Sequence, residues 1–151
     1  MTMPWKKSIE PIIKNSLGFL FRAFSGVLKD AITIFVYHDV SDSPSEFSRS
    51  HDLNVRPSLF EEQIKFIKKN FNVISPHHLL RGEIPHRAAL ITFDDGFIGY
   101  FKNAIKILEK YDLPSIIFLN MGPIKGEVFW SGLITYLCDK RSDFKSYLQE
   151  T

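Results

Sequence analysis

Three short apolar runs, separated by segments of helical periodicity, constrain the fold of this chain more than any other feature. They are residues 31–37 (AITIFVY), 88–93 (AALITF) and 115–119 (SIIFL). Continuous apolar runs of this length, rich in β-branched and aromatic residues, are typical of strands buried on both faces. Because the segments between them have helical character, the strands are expected to lie parallel, joined by helical crossovers. The sequence therefore predicts an α/β fold.

Two amphipathic segments supply the crossovers. The first is predicted to begin at Ser58, which forms a capping box with Glu61 three residues later, and its apolar face comprises Phe60, Ile64, Ile67 and Phe71. The second spans residues 97–111, with one face made of Phe97, Phe101, Ala104, Ile105, Leu108 and Tyr111. Residues 38–57 are polar and predict a long loop, and residues 72–75 predict a short strand. Residues 129–137 and 144–148 are predicted to be helical.

Residues 1–30 show a different pattern, which predicts an N-terminal amphipathic helix. Apolar residues recur there at helical spacing, among the basic residues Lys6, Lys7, Lys14, Arg22 and Lys29. Two interpretations remain open: the helix packs on the core of the protein, or residues 6–29 contact an anionic membrane surface. The segment has neither the pattern of a signal peptide nor that of a spanning helix, so it does not define a compartment.

Overall charge and cysteine content exclude some classes of function. The formal net charge of +2 is too small to indicate a nucleic-acid partner. A single cysteine, Cys138, excludes an internal disulfide and a cysteine zinc cluster.

Polar side chains follow each of the three apolar runs. His38 and Asp39 follow the first run, Asp94 and Asp95 follow the second, and Asn120 follows the third. The carboxyl ends of parallel strands meet at one edge of a sheet, where active sites gather in α/β folds. We therefore expect these groups to converge at one rim.

The pair Asp94-Asp95, followed by Gly96, has the strongest chemical content. Neighbouring residues near a strand end point in different directions, so one carboxylate can face a metal while the other faces a substrate. A metal lowers the pKa of its bound water to about 7, and a nearby carboxylate can accept the proton as that water attacks. This division of roles suits hydrolysis of an amide or an ester.

Two other interpretations of the same residues stay open. Asp95-Gly96 could be a hairpin turn with a strand over residues 97–101, although the helical pattern continues well beyond the glycine. Strand-end aspartates also hold Mg²⁺ in phosphoryl-transfer enzymes, but the chain shows no glycine-rich phosphate loop with its lysine.

Four segments resemble, in the same order, the polysaccharide deacetylase family, which is the NodB-homology domain of carbohydrate esterase family 4. Residues 90–97 (LITFDDGF) resemble its first signature motif, and residues 35–40 (FVYHDV) are similar to its first strand. Residues 58–75 and 103–124 resemble the segments on either side of that motif, and Phe129-Trp130 matches an aromatic pair. The resemblance covers residues 31–131.

The resemblance implies a distorted (β/α) barrel and removal of acetyl groups from N-acetylated sugars of a polysaccharide or oligosaccharide. It implies a divalent metal, usually zinc. By position, Asp94 matches the catalytic base, Asp95 matches the metal-ligand aspartate, and His38 matches a histidine near the active site. Family members often act in the cell envelope.

The chain departs from the family pattern at the remaining metal ligands. The family takes them from a His-x-x-x-His motif downstream of the signature, whereas every histidine here precedes Asp94: His38, His51, His77, His78 and His86. We therefore expect residues 31–151 to be a truncated N-terminal part of a deacetylase domain, inactive alone. The alternative is a non-catalytic module that binds carbohydrate or a membrane on the same scaffold.

Overall fold

The computed structural model describes residues 31–140. Its strands are β1 (Thr33–Tyr37), β2 (Asp39–Val40), β3 (Asn54–Val55), β4 (Asn72–Val73), β5 (Ala88–Phe93) and β6 (Ile116–Ile117). Its helices are α1 (Glu46–Ser50), α2 (Pro57–Asn70), α3 (Pro76–Leu80), α4 (Ile105–Lys110), α5 (Met121–Ile124) and α6 (Trp130–Lys140), with a π-helical turn (Tyr100–Ala104) directly before α4. The helices predicted for residues 1–30 and 144–148 lie outside the described residues.

Strand β5 is the centre of the main sheet. β1 pairs along one of its edges, from Thr33 opposite Ala89 to Tyr37 opposite Phe93. The other edge is shared, because β4 pairs with the first two residues of β5 and β6 pairs with the last two. All of these pairings are parallel. The predicted α/β fold, with parallel strands and helical crossovers, is therefore confirmed.

The two faces of this sheet differ in how they are covered. On one face Ala89, Ile91 and Phe93 join the larger core cluster, together with apolar residues of α2 and α4. On the other face Ala88 and Leu90 form a smaller cluster with Ile74. All six residues of β5 are buried, as its continuous apolar run predicts.

Strand β1 does not match its predicted burial. Ile34 is 55% exposed and Val36 is 53% exposed, although a strand buried on both faces was expected there. The side chains that alternate with them are covered, and Phe35 packs edge-on against Phe71 at 5.1 Å between ring centroids. β1 is an edge strand of the described sheet, and only its helix-facing side is covered by a described element.

Residues 38–57 form a small subdomain rather than the predicted long loop. β2 and β3 make a separate two-stranded parallel sheet, and α1 connects them. The hydroxyl of Ser45 caps α1 by accepting a hydrogen bond from the amide of Ser48 at 3.1 Å. These elements are short and mostly polar, so they lack the periodicity from which helices and strands are recognised in a sequence.

Helix α2 has the predicted apolar face but a different start. Phe60, Ile64 and Ile67 are buried as expected, whereas the predicted capping box of Ser58 and Glu61 is wrong. The helix begins at Pro57, because a proline in the first position loses no helical hydrogen bond. Glu61 then lies too far along the helix to reach back to its first amides.

The second predicted helix is present with a shifted face. Helical structure begins at residue 98 and continues through the π-helical turn to Lys110. Tyr100 is 8% exposed and Phe101 is 47% exposed, which reverses the predicted burial of Phe101. A π-helical turn holds more residues than an α-helical one, so it rotates the residues that precede it relative to α4. No helix between residues 31 and 140 is long and apolar enough to cross a membrane.

Glu61 connects α2 to the end of α4. Its Oε1 atom accepts hydrogen bonds from Lys110 Nζ at 2.7 Å and from the Tyr111 hydroxyl at 2.6 Å. These hydrogen bonds lower the pKa of Glu61 from 4.5 to about 2, and the bond from Lys110 has the larger effect. A carboxyl group whose pKa is lowered by folding stabilises the folded state above its unfolded pKa, and loses that effect as the pH falls through the folded pKa.

We predict that Glu61→Gln lowers the free energy of unfolding at pH 7, and that the difference from the unsubstituted chain disappears between about pH 4.5 and about pH 2. Urea unfolding across this range measures the difference. Glu109→Gln is the matched control, because it removes an equal charge from the exposed side of α4. An effect of Glu61→Gln that stays the same across the range would contradict the prediction.

Candidate functional site

The carboxyl ends of β1, β5 and β6 meet at one edge of the sheet. The amide of Asp94 donates a hydrogen bond to the carbonyl of Tyr37 at 2.9 Å, and the amide of Phe118 donates one to the carbonyl of Phe93 at 2.8 Å. Pairing therefore continues one residue past β5 on one side and past β6 on the other. His38 and Asp94 are the first residues beyond two neighbouring strands, so this part of the predicted rim is formed.

The turn after β5 has a left-handed backbone at two successive residues. Asp95 has φ 64° and Gly96 has φ 71°. Aspartate is among the few residue types, apart from glycine, that often adopt this region. Positive φ at both positions is also what a type I′ hairpin turn requires. The chain nevertheless continues into a helix from residue 98, so the hairpin interpretation is wrong although its local backbone is present.

The turn separates the two carboxylates. Asp94 is half-buried and still follows the pairing of β5, so strand alternation places its side chain on the face of Leu90 and Thr92. Asp95 is exposed, and its left-handed backbone takes it out of that alternation. Neither carboxylate has a hydrogen-bond or ion-pair partner among residues 31–140. Asp95 is therefore accessible to a ligand, whereas Asp94 is accessible only in part.

His38 lies beside the same turn. Its ring is half-buried and contacts Phe97 in an edge-to-face arrangement, with 6.5 Å between ring centroids. Phe97 directly follows Gly96, so this contact joins the end of β1 to the turn after β5. Below the rim, burial raises the pKa of the Tyr37 phenol from 10.0 to about 12.

Phe47, which sequence reasoning did not single out, links three segments around the turn. Its ring stacks on Phe97 with 6.1 Å between centroids and packs edge-on against Phe129 at 5.0 Å. Phe47 belongs to α1, so the subdomain formed by residues 38–57 is in contact with both the turn and the start of α6. A short helix in a polar segment gave no signal from which this contact could have been predicted.

Asn120 follows Leu119, whose side chain lies against Gly96 of the turn, but its own side chain is used as a helix cap. β6 ends at Ile117, and the Oδ1 atom of Asn120 accepts a hydrogen bond from the amide of Gly122 at 3.3 Å, which caps α5. A groove of about 670 Å³, bordered by Asn72, Val73 and His78 among others, lies near the start of β5. Because Asp94 follows the other end of β5, this groove is not part of the candidate site.

The residues described do not make a complete metal site. Between residues 31 and 140, no group of three or more His, Cys, Asp or Glu side chains could hold a metal ion. A catalytic zinc takes three protein ligands and a water. His51 packs against Phe47, and His78 Nδ1 is 2.8 Å from the hydroxyl of Ser75 at the start of α3, so both lie in other contacts. Asp94, Asp95 and His38 alone therefore do not fit a zinc ion.

Comparison with known proteins supports the resemblance drawn from residues 90–97. No family model matches the chain. The Bacillus subtilis (strain 168) protein YxkH, which is named as a candidate polysaccharide deacetylase, is 29% identical over 94 residues, 58% of this chain and 31% of that protein. The chain thus spans less than a third of this curated relative.

Two solved structures are similar as well. The deacetylase PplD from Streptococcus pyogenes, in complex with acetate, aligns with a TM-score of 0.53 and 29% identity, over 62% of this chain and 44% of PplD. IcaB from Ammonifex degensii aligns with a TM-score of 0.50 and 24% identity, over 60% of this chain and 38% of IcaB. The resemblance to polysaccharide deacetylases and the partial, distorted NodB-like barrel fold are therefore confirmed.

The backbone conformation of the turn predicts that glycine is more stable than alanine at position 95 and less stable than alanine at position 94. At position 95 the left-handed conformation favours glycine over alanine by about 1–2 kcal/mol, so Asp95→Gly should unfold at higher urea than Asp95→Ala. At position 94 the strand pairing favours alanine over glycine by roughly 0.5–1 kcal/mol, so the order should reverse. Urea unfolding of the four variants measures this. The same order at both positions would contradict the left-handed turn.

Proposed function

We propose that this chain is part of a metal-dependent hydrolase that removes acetyl groups from N-acetylated sugars of a polysaccharide, with Asp94 as catalytic base and Asp95 as a metal ligand. One observation carries this proposal. Two adjacent carboxylates without partners among residues 31–140 follow a fully buried strand, in a turn that directs them apart. The named deacetylases among the similar proteins point to the same chemistry.

In this proposal Asp94 acts as the general base. It lies on the sheet face opposite α2, beside the end of β1 and His38. In this role its carboxylate accepts a proton from the water that attacks the acetyl carbonyl. A bond then forms between the water oxygen and the carbonyl carbon, and the bond from that carbon to the sugar nitrogen breaks. The proton passes to the leaving amine, which gives acetate and a free amino sugar.

The metal in this proposal is a divalent cation, taken to be zinc. Asp95 supplies one ligand, and the other protein ligands come from outside residues 31–140, because the described residues hold no group of three donors. Support for such a source comes from the coverage of the similar proteins, of which the chain spans 31–44%. The 151-residue chain alone is therefore expected to be inactive.

The incomplete set of metal donors among residues 31–140 favours one second candidate. A module that binds acetylated carbohydrate without hydrolysing it would need the rim and its aromatic residues but no third metal ligand. Trp130, which is 70% exposed and follows Phe129 of the aromatic contact with Phe47, is available for such binding.

We predict that Asp94→Asn and Asp95→Asn each lower the rate of hydrolysis by at least about a hundredfold without loss of fold. The assay measures acetate released from acetylated chito-oligosaccharide by the full-length gene product with added Zn²⁺ or Co²⁺. Removal of a general base lowers the rate by about 10²–10⁴-fold. Asp112→Asn is the matched control, since it makes the same change at an exposed left-handed position after α4.

The outcomes separate the two candidates. Retained acetate release by either site variant would contradict the assignment of Asp94 and Asp95. Binding of the oligosaccharide by the unsubstituted protein without any acetate release would support the non-catalytic module. Metal-dependent turnover by the 151-residue chain itself would contradict the need for ligands from elsewhere.

A further inference from the structure

The helix that follows the Asp94–Asp95 turn begins directly against the backbone of β2. A Cβ atom at Gly99 would lie 2.6 Å from the carbonyl oxygen and 2.8 Å from the amide nitrogen of Val40, and it would also collide with Oδ1 of Asp39. The φ angle of Gly99 is −63°, which any residue adopts in a helix. Glycine is therefore needed at this position for close approach of two backbones rather than for its conformational freedom.

Asn103 makes a second contact with the same segment. Its side-chain amide donates a hydrogen bond to the carbonyl of Val40 at 2.7 Å. Val40 is fully buried, so this carbonyl would lose its partner in a dry environment if the asparagine were removed.

The π-helical turn makes this contact compatible with the core. Tyr100 packs on Phe93 with 4.7 Å between ring centroids, while Asn103 reaches β2. Side chains three residues apart share a face in an α-helix, whereas a π-helical turn, with more residues, spreads them further apart. Turns of this kind are frequent at functional sites. The π-helical turn thus lets Tyr100 enter the core while Asn103 donates its hydrogen bond to Val40 of β2.

Asp39 is the buried acidic residue at this junction. It is 3% exposed, and its Oδ2 atom accepts a hydrogen bond from the hydroxyl of Ser48 at 3.0 Å. Its Oδ1 atom has no hydrogen-bond partner among residues 31–140, and it occupies the space that a Cβ atom at Gly99 would need. The residue that follows His38 is therefore packed between α1 and the start of the helix.

Two contacts consequently fix the candidate site. At one end the amide of Asp94 is bonded to the carbonyl of Tyr37. At the other end Asn103 and Gly99 hold Val40. His38 lies between the contact residues Tyr37 and Val40 on the first segment. Asp95 lies between the contact residues Asp94 and Gly99 on the second segment.

We propose that Gly99 and Asn103 are positioning residues, which set the Asp94–Asp95 turn relative to His38 by holding the helix start against Asp39 and Val40. This inference rests on the proposed hydrolytic function of Asp94 and Asp95. It adds that β2 controls the geometry of Asp94 and Asp95 through the helix that follows their turn. Displacement of reacting groups by about 1 Å can lower a rate by roughly a hundredfold, so small shifts at this contact are sufficient.

The test compares Asn103→Ala with two controls in the full-length gene product. Lys102→Ala changes an exposed neighbour in the same π-helical turn, and Leu108→Ala opens a cavity at a buried position further along the helix. The measurements are kcat and KM for acetylated chito-oligosaccharide, thermal stability, and amide hydrogen exchange at residues 94–96. Gly99→Ala is a second variant of the contact, which forces the two backbones apart.

For Asn103→Ala we expect kcat to fall at least about tenfold with KM within about twofold, and exchange at residues 94–96 to become faster. Leu108→Ala should lose more thermal stability, yet keep kcat and the exchange at residues 94–96 at temperatures where it stays folded. Equal behaviour of Asn103→Ala and Leu108→Ala would overturn the inference. If the unsubstituted protein releases no acetate, the proposed function fails, and the exchange at residues 94–96 alone decides the inference.

Discussion

Strand β5 is the constraint on which the rest of the structure depends. All six of its residues are buried, and its two edges are occupied by β1 on one side and by β4 and β6 on the other. A strand in this position cannot carry a charged side chain, because a buried charge without a partner is too costly. The first charged residue, Asp94, therefore appears where the strand ends. Its amide still pairs with β1, so the position of the carboxylate is set by the sheet and not by a free loop.

The conformation of the turn after β5 is locally unfavourable, but it sets the directions of the Asp94 and Asp95 side chains. Asp95 is held in a left-handed conformation that suits glycine better, which is the kind of local strain that clusters at functional sites. The helix that follows is irregular for a related reason, because it must fill the core with Tyr100 and hold β2 with Asn103. The sheet face onto which Asp94 projects is less covered than the other, since Ile34 and Val36 on that face are more than half exposed. In the proposed function, a substrate and the outside ligands would approach Asp94 from this side.

The strongly periodic parts of the fold were predictable from the sequence. The three apolar runs, the parallel arrangement and the apolar face of α2 depend on residue patterns that burial imposes on whole elements. The details that depend on contacts between distant residues were not predictable. Glu61 forms hydrogen bonds to Lys110 and Tyr111 instead of a capping box, and the π-helical turn moves Phe101 to the surface. Asp94, Asp95 and His38 were predicted as candidate site residues from their place after the strands, and they remain candidates. Asp39 was expected at the rim but is buried against Ser48 of α1. Gly99 and Phe47 were missed, because their importance lies in packing between segments.

The most direct test of the central claim is to locate a bound cation by anomalous diffraction from crystals of the full-length gene product grown with Zn²⁺ or Co²⁺. We expect one anomalous peak at the carboxyl edge of β5, about 2.0–2.2 Å from a carboxylate oxygen of Asp95. The carboxylate of Asp94 should face the same opening without binding the ion. A peak elsewhere in the protein, or both carboxylates turned toward the helix-covered face of the sheet, would rule out Asp95 as metal ligand and Asp94 as base.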